Sequence, residues 1–104
     1  MKDFYFVRLF DVYAELLTQR QREICELYYL CDLSLTEIAQ QKQSSKQSVS
    51  DTLAKSRAAL EGYEQKLQCL QKEERYERLR AGVERLRADY PECAADADAL
   101  LRED

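Results

Sequence analysis

An all-α fold is predicted for this chain on three grounds. Only 2 glycines and 1 proline interrupt its 104 residues, and good helix formers fill most segments. Apolar residues return at three- and four-residue spacing, with no alternating strand pattern and no Asn-Gly or Asp-Gly hairpin signal. Two capping boxes, Thr18 with Gln21 and Ser34 with Glu37, mark helix starts at which each partner satisfies the other's orphan amide.

The first helix is expected over about Phe4 to Leu16, with Phe4, Val7, Phe10, Tyr13 and Leu17 as its apolar stripe. Asp3, Arg8, Asp11 and Glu15 interrupt that segment, so it reads as an amphipathic core helix and not as a membrane anchor. Thr18 opens the second helix, whose buried stripe is expected to be Ile24, Leu27, Tyr28 and Cys31, leaving Tyr29 exposed. Ser34 opens a short third helix, Leu35–Gln41, with Leu35, Ile38 and Ala39 on one face. A polar turn follows. Ser45 is a natural N-cap for a fourth helix, with Val49 and Leu53 on its inner side. Two short helices across a tight turn make a helix-turn-helix, where the second can present its leading residues to a major groove. Residues 1–62 are thus expected to form a four-helix domain with short polar connections.

Beyond it, Leu60, Tyr63, Leu67 and Leu70 continue the helical period. A second stripe of Tyr76, Leu79, Val83, Leu86 and Tyr90 has the same spacing but faces the opposite side, because nine residues at about 100° each separate Leu70 from Leu79. The intervening QKEERYER contains no breaker. One long helix running towards Asp89 and ending before Pro91 is therefore favoured over a break near Lys72–Arg75 that folds the chain back as a hairpin. Two bare apolar stripes require cover. Homodimerisation through Leu60, Tyr63, Leu67, Leu70, Leu79, Val83 and Leu86 supplies it most simply. Residues 63–104 are then a dimerising arm, with a short helix at Ala94–Leu101 and an acidic end that frays.

Several function classes are disfavoured. The net charge of −4 is wrong for a generic nucleic-acid coat, whose affinity rests on neutralising phosphates. It is uneven, however: residues 1–44 carry −2, residues 45–71 carry +1 and residues 72–104 carry −3. The one positive block begins at the fourth helix. Cys25, Cys31, Cys69 and Cys93 have no CxxC spacing and there is no histidine, which argues against a metal site and fits reduced thiols in a cytoplasm. Cys25 and Cys31 read as small core residues. With no proton-shuttling histidine and no Gly-rich phosphate loop, no catalytic residue, cofactor or small-molecule substrate is expected. Arg75, Arg78, Arg80, Arg85 and Arg87 interleave with Glu73, Glu74, Glu77 and Glu84, the pattern of ion pairs on a solvated helix. No apolar run is long enough to span a bilayer, and no charged-then-apolar leader is seen.

LTQRQREICELYYLCDLSLTEIA followed by a Ser-capped helix resembles region 4 of bacterial sigma factors over about Leu17 to Leu60. More closely, the aromatic first helix, the ELYYLCDLSLTEIA segment and the YEQKL continuation are similar to YlxM-type proteins, small helix-turn-helix proteins linked to the signal recognition particle. The resemblance implies an accessory or regulatory role in that pathway, through DNA, the particle RNA or its protein component. Transferred residue by residue, it implies that Ser45, Lys46, Gln47, Ser48, Ser50 and Asp51 form the face that meets nucleic acid. Lys46 and Lys55 suit phosphate contacts and Gln47 suits adenine. A plain transcriptional regulator and a protein–protein adaptor are the alternative readings. One departure is concentrated in the turn. Where the pattern has apolar, Gly, apolar, this chain has Lys42, Gln43 and Ser44. A left-handed Gln43 costs about 1–2 kcal/mol, so the turn is expected to be loosened or remodelled.

Overall fold

The computed structural model describes residues 3–102, which form two compact units meeting at Leu70 and Gln71. Six α-helices and no strand occur among the described residues. The first unit extends past the expected boundary at 62, because Leu60, Tyr63 and Leu70 belong to its core.

Helix α1, Phe4–Tyr13, starts at Asp3, whose carboxylate accepts the Tyr5 amide at 2.9 Å. Leu9, Phe10, Tyr13 and, beyond the helix, Leu17 are buried. Phe4, expected on the apolar stripe, is 65 % exposed in the first turn, and Leu9, not expected there, is fully buried. A tight 3₁₀ turn, Ala14–Leu16, delivers the chain to α2, Gln19–Cys25, where both hydrogen bonds of the Thr18–Gln21 capping box form.

Helix α2 runs on into a π-helical turn, Glu26–Leu30, closed by the Cys31 amide on the Glu26 carbonyl at 3.0 Å. The extra residue per turn rotates everything after it by about one position. Tyr29 is therefore buried, Tyr28 only half-buried and Cys31 exposed. This reverses the tyrosine assignment that an ideal helical period predicts. The rotation also serves α4: Arg57 Nε donates to the Tyr29 hydroxyl at 2.8 Å, and its guanidinium lies 5.8 Å from the Phe6 ring centre and 5.7 Å from that of Tyr28. Such cation–π contacts contribute about 0.5–2 kcal/mol each, depending on desolvation.

Helix α3, Leu35–Gln41, begins with the predicted Ser34–Glu37 capping box. Its far end corrects the expectation of a remodelled turn. Gln43 does adopt the left-handed conformation, φ 53°. Around it, the Ser44 amide donates to the Ala39 carbonyl at 2.9 Å and the Gln43 amide to the Gln40 carbonyl at 3.3 Å. These are the two bonds of a Schellman motif, which satisfies carbonyls the helix would leave orphaned. Lys42 reaches back to form an ion pair with Glu23 of α2. A polar sequence thus closes a turn of regular geometry.

Helix α4, Lys46–Leu67, is the longest element and packs against α1, α2 and α3. Val49, Leu53, Ser56 and Leu60 form its buried stripe. Ser56 avoids an orphan hydroxyl by donating to the Thr52 carbonyl at 2.7 Å, and its small side chain lets α4 meet α2 at Cys25, whose thiol pKa is raised by burial. Leu9, Ile24, Ile38, Val49, Leu53 and Leu60 are almost wholly enclosed. Each contributes about 1.5–3 kcal/mol of burial free energy.

The expected single rod is interrupted. At Gln68 the backbone turns left-handed, φ 54°, with its amide on the Glu64 carbonyl at 2.9 Å. Two side chains of the first unit then cap the helix that follows. The Cys69 amide donates to the Tyr13 hydroxyl at 3.0 Å and the Leu70 amide to Glu64 Oε1 at 3.1 Å. Tyr13 itself donates to Glu64 Oε1 at 2.6 Å. No glycine or proline marks this break in the sequence, and one of the two side chains that hold it, Tyr13, lies 56 residues from the amide it caps.

In the second unit, helix α5, Cys69–Asp89, continues to the predicted stop before Pro91. A 3₁₀ turn, Pro91–Cys93, leads into α6, Ala94–Leu101. Helix α6 is the short helix expected at Ala94–Leu101, and it is docked. Ala97 is buried, Arg87 Nε pairs with Asp98 at 2.8 Å, and an Arg80 guanidinium nitrogen donates to the Leu101 carbonyl at 3.1 Å. The final two acidic residues of the expected fraying end lie outside the described residues.

The turn and the junction can each be tested by substitution. Gln43→Gly should raise stability by about 0.5–1 kcal/mol, since relief of left-handed strain outweighs the added freedom of the unfolded chain. Ser44→Ala should add about 1 kcal/mol by deleting a buried hydroxyl that lacks a partner. Urea titration reads both, and a lower midpoint for either variant contradicts the account of the turn. Tyr13→Phe should cost about 1–2 kcal/mol at neutral pH through the lost cap and the lost donor to Glu64. Burial, and then the hydrogen bond to Glu64, hold the Tyr13 phenol far above its ordinary value of 10.0. Its contribution is complete below pH 10 and is lost as pH rises above that value, because the unfolded chain ionises first. Alkaline unfolding should accordingly be shallower in the Phe variant than in the parent; equal slopes contradict it.

Candidate nucleic-acid interface

The leading turns of α4 divide cleanly into an inner and an outer side. Val49 is 0 % and Leu53 2 % exposed, packed on Ile38 and its neighbours in one core. Ser45, Lys46, Gln47, Asp51 and Lys55 are exposed, and Ser48 and Ser50 half-buried. Gln47, Asp51 and Lys55 follow one another at four-residue spacing on one face. The helix starts well: the Ser45 hydroxyl accepts the Ser48 amide at 3.0 Å, as an N-cap should. No acidic residue lies in its first turn, so the positive end of the helix dipole stays open to an anion.

Side-chain bonds then refine the roles that the sequence assigns. Gln47 Nε2 donates to Asp51 Oδ1 at 2.9 Å. That bond holds the Gln47 amide beside a carboxylate and restricts the two-point grip that adenine requires. Asp51 itself repels phosphate and suits the exocyclic amine of cytosine. The Ser48 hydroxyl accepts from Arg20 Nη2 at 3.1 Å, while the Thr52 hydroxyl donates to the Ser48 carbonyl at 2.9 Å. Arg20, exposed on α2, is thereby placed at the start of α4 and adds a cation to Lys46 and Lys55. Sequence reasoning missed it. No periodicity links a residue to a partner 28 positions away on another helix.

Lys42 takes a different part. Its ammonium is committed to Glu23, and the hydrogen bond from Lys42, followed by one from Gln19, holds the Glu23 carboxyl below its usual range. The pair cancels a carboxylate on α2 close to the motif. The exposed face is left with Arg20, Lys46 and Lys55 against Asp51, a local positive surplus on a chain of overall charge −4.

The residues expected to dimerise separate into two groups. Leu60 and Leu70 are 0 % and 3 % exposed inside the first unit. Tyr63 packs on Tyr13, ring centres 5.9 Å apart, with its hydroxyl donating to the Leu16 carbonyl at 3.1 Å. The chain covers this stripe with its own core, except for Leu67, which is exposed. On α5, Leu79 and Leu86 stand exposed and Val83 is half-buried. Of the arginines there, Arg80 reaches Glu84 at 3.6 Å and Arg87 is held by Asp98. Among the described residues no His, Cys, Asp and Glu cluster could hold a metal ion, and no helix is long and apolar enough to cross a membrane.

Known proteins share this sequence at family level. A family described as "Putative helix-turn-helix protein, YlxM / p13 like" matches residues 1–96, the whole helix-turn-helix unit and most of the C-terminal helices. A UPF0122 protein of Geobacillus kaustophilus is 48% identical over 93 residues, covering 89% of this chain and 81% of the relative. UPF0122 proteins of Bacillus cereus and Bacillus anthracis are 50% identical over 78 residues, covering 75% of this chain and 71% of theirs. A match of this extent, on a chain whose Ser45-capped helix is held and exposed as a helix-turn-helix requires, places the protein in the UPF0122 family of YlxM / p13-like helix-turn-helix proteins.

Proposed function

We propose that this chain is a non-enzymatic regulatory protein that binds nucleic acid through the start of α4, and that it acts in the signal recognition particle pathway. One observation carries the binding half of the reading: Lys46 and Gln47 are exposed at a capped helix start while Val49 and Leu53 of the same helix are locked in the core. A recognition helix must be held this firmly on one side to be presented on the other. Arg20 beside Ser48 supports it by extending the cationic surface from α4 to α2. The pathway half rests on the likeness to YlxM-type proteins, which makes the particle RNA the first nucleic acid to test and duplex DNA the second. A protein–protein adaptor is the competing reading, favoured by Asp51 and its bond to Gln47 in the middle of the face.

Three cations predict a modest electrostatic signature. The logarithm of affinity should fall with the logarithm of salt concentration at a slope of about −2 to −3, and each of Arg20→Ala, Lys46→Ala and Lys55→Ala should reduce that slope by about 1. Fluorescence anisotropy with the particle RNA and with duplex DNA, from low to physiological salt, makes the measurement. Binding that ignores salt, or no binding to either, assigns the fold to the adaptor reading. Asp51→Asn supplies an internal check: removal of a carboxylate from the contact face should strengthen binding to any phosphate backbone, and weaker binding would give Asp51 a base-reading role.

A further inference from the structure

The apolar face of α5 has one edge on which arginines predominate, and this identifies what would cover it. Leu79, Val83 and Leu86 line a shallow groove, with Leu79 70 % and Leu86 56 % exposed. Helix α6 closes one side of the stripe, where Leu100 and Leu101 meet Tyr76, Leu79 and Val83 and where Arg80 and Arg87 are engaged. The other side is open. Arg78 and Arg85 wall it, Arg75 extends the row at helical spacing, and Asp89 is the one acidic residue lining it. All three arginines are exposed and make no ion pair among the described residues. Gly82 lies within this wall, with nothing within 4 Å of where a Cβ would stand, so a partner can approach the backbone there.

We propose that this groove docks a helix of another protein, amphipathic in pattern and acidic along its flank. Leucine-type side chains at three- and four-residue spacing would fill the Leu79–Val83–Leu86 floor, and carboxylates beside them would meet Arg75, Arg78 and Arg85 in bidentate geometry. A second copy of this chain is a poorer occupant. Self-pairing through the open edges would bring the Arg75, Arg78 and Arg85 row of one copy against the same row of the other, with Asp89 as the one carboxylate lining it. RNA would satisfy the arginines and leave two leucines in water. This proposal does not depend on nucleic-acid binding by α4.

The test uses the full chain and a labelled synthetic peptide of about four helical turns, with leucines at heptad spacing flanked by glutamates, against a twin with lysines in their place. The glutamate peptide should bind and the lysine peptide should not. Leu79→Glu with Leu86→Glu should weaken binding by about tenfold or more. Arg78→Glu with Arg85→Glu should exchange the preference, so that the lysine peptide now binds, a readout that a merely misfolded variant cannot give. Lys46→Ala and Lys55→Ala should leave the peptide affinity unchanged, which separates this surface from the α4 interface. Failure of the glutamate peptide to bind, or a preference unmoved by the charge reversal, overturns the proposal. So does a doubled mass in light scattering that Leu79→Glu and Leu86→Glu abolish, which gives the face to a second copy, or tighter binding to phosphatidylglycerol vesicles than to the peptide.

Discussion

The packed side of α4 is the constraint on which the first unit depends. Val49, Leu53, Ser56 and Leu60 fall on one line of the helix, and every other helix of that unit is laid against it. Because α4 is pinned along more than half its length, its opening turn cannot rotate to bury Lys46 or Gln47. Burial of aliphatic groups at about 1.5–3 kcal/mol each outweighs anything the surface residues could gain by turning inward. Lys46 and Gln47 are exposed because the opposite side of the same helix is not.

Small polar devices then place what the core alone leaves loose. The Schellman bonds at Gln43 and Ser44 set the direction in which α4 leaves α3, and the Lys42–Glu23 pair ties the turn to α2. At the other end, Tyr13 and Glu64 cap the first amides of α5. At α5 a side chain 56 residues away, Tyr13, satisfies a backbone amide that the helix start would otherwise strand, while at the end of α3 the backbone itself does so. The chain thereby accommodates left-handed Gln43 and Gln68 where glycine would be easier.

The two units divide the surface chemistry between them. In the first, exposed polar groups sit over a closed apolar core, a surface suited to phosphate and base edges. In the second, exposed leucines lie along a row of arginines, suited to an acidic protein helix. A chain with net negative charge can still carry local cationic surpluses because its charges are unevenly placed, with Arg20, Lys46 and Lys55 against Asp51 at the start of α4.

Local chemistry determined much of this from sequence alone. Capping boxes at Thr18 and Ser34, the N-cap at Ser45, the stop before Pro91 and the left-handed position at Gln43 each depend on residues within a few positions of one another, and each is where the residues put it. The outward face of α4 follows from the same short-range period. Tertiary structure decided the rest. The π turn that buries Tyr29 in place of Tyr28 and the contact of Arg20 with Ser48 rest on partners 28 residues away, and the break at Gln68 on partners 56 apart. Coverage of Leu60 and Leu70 by the chain itself likewise required the fold of α1 to be known. Periodicity reports which residues share a side; only packing reports what lies against it.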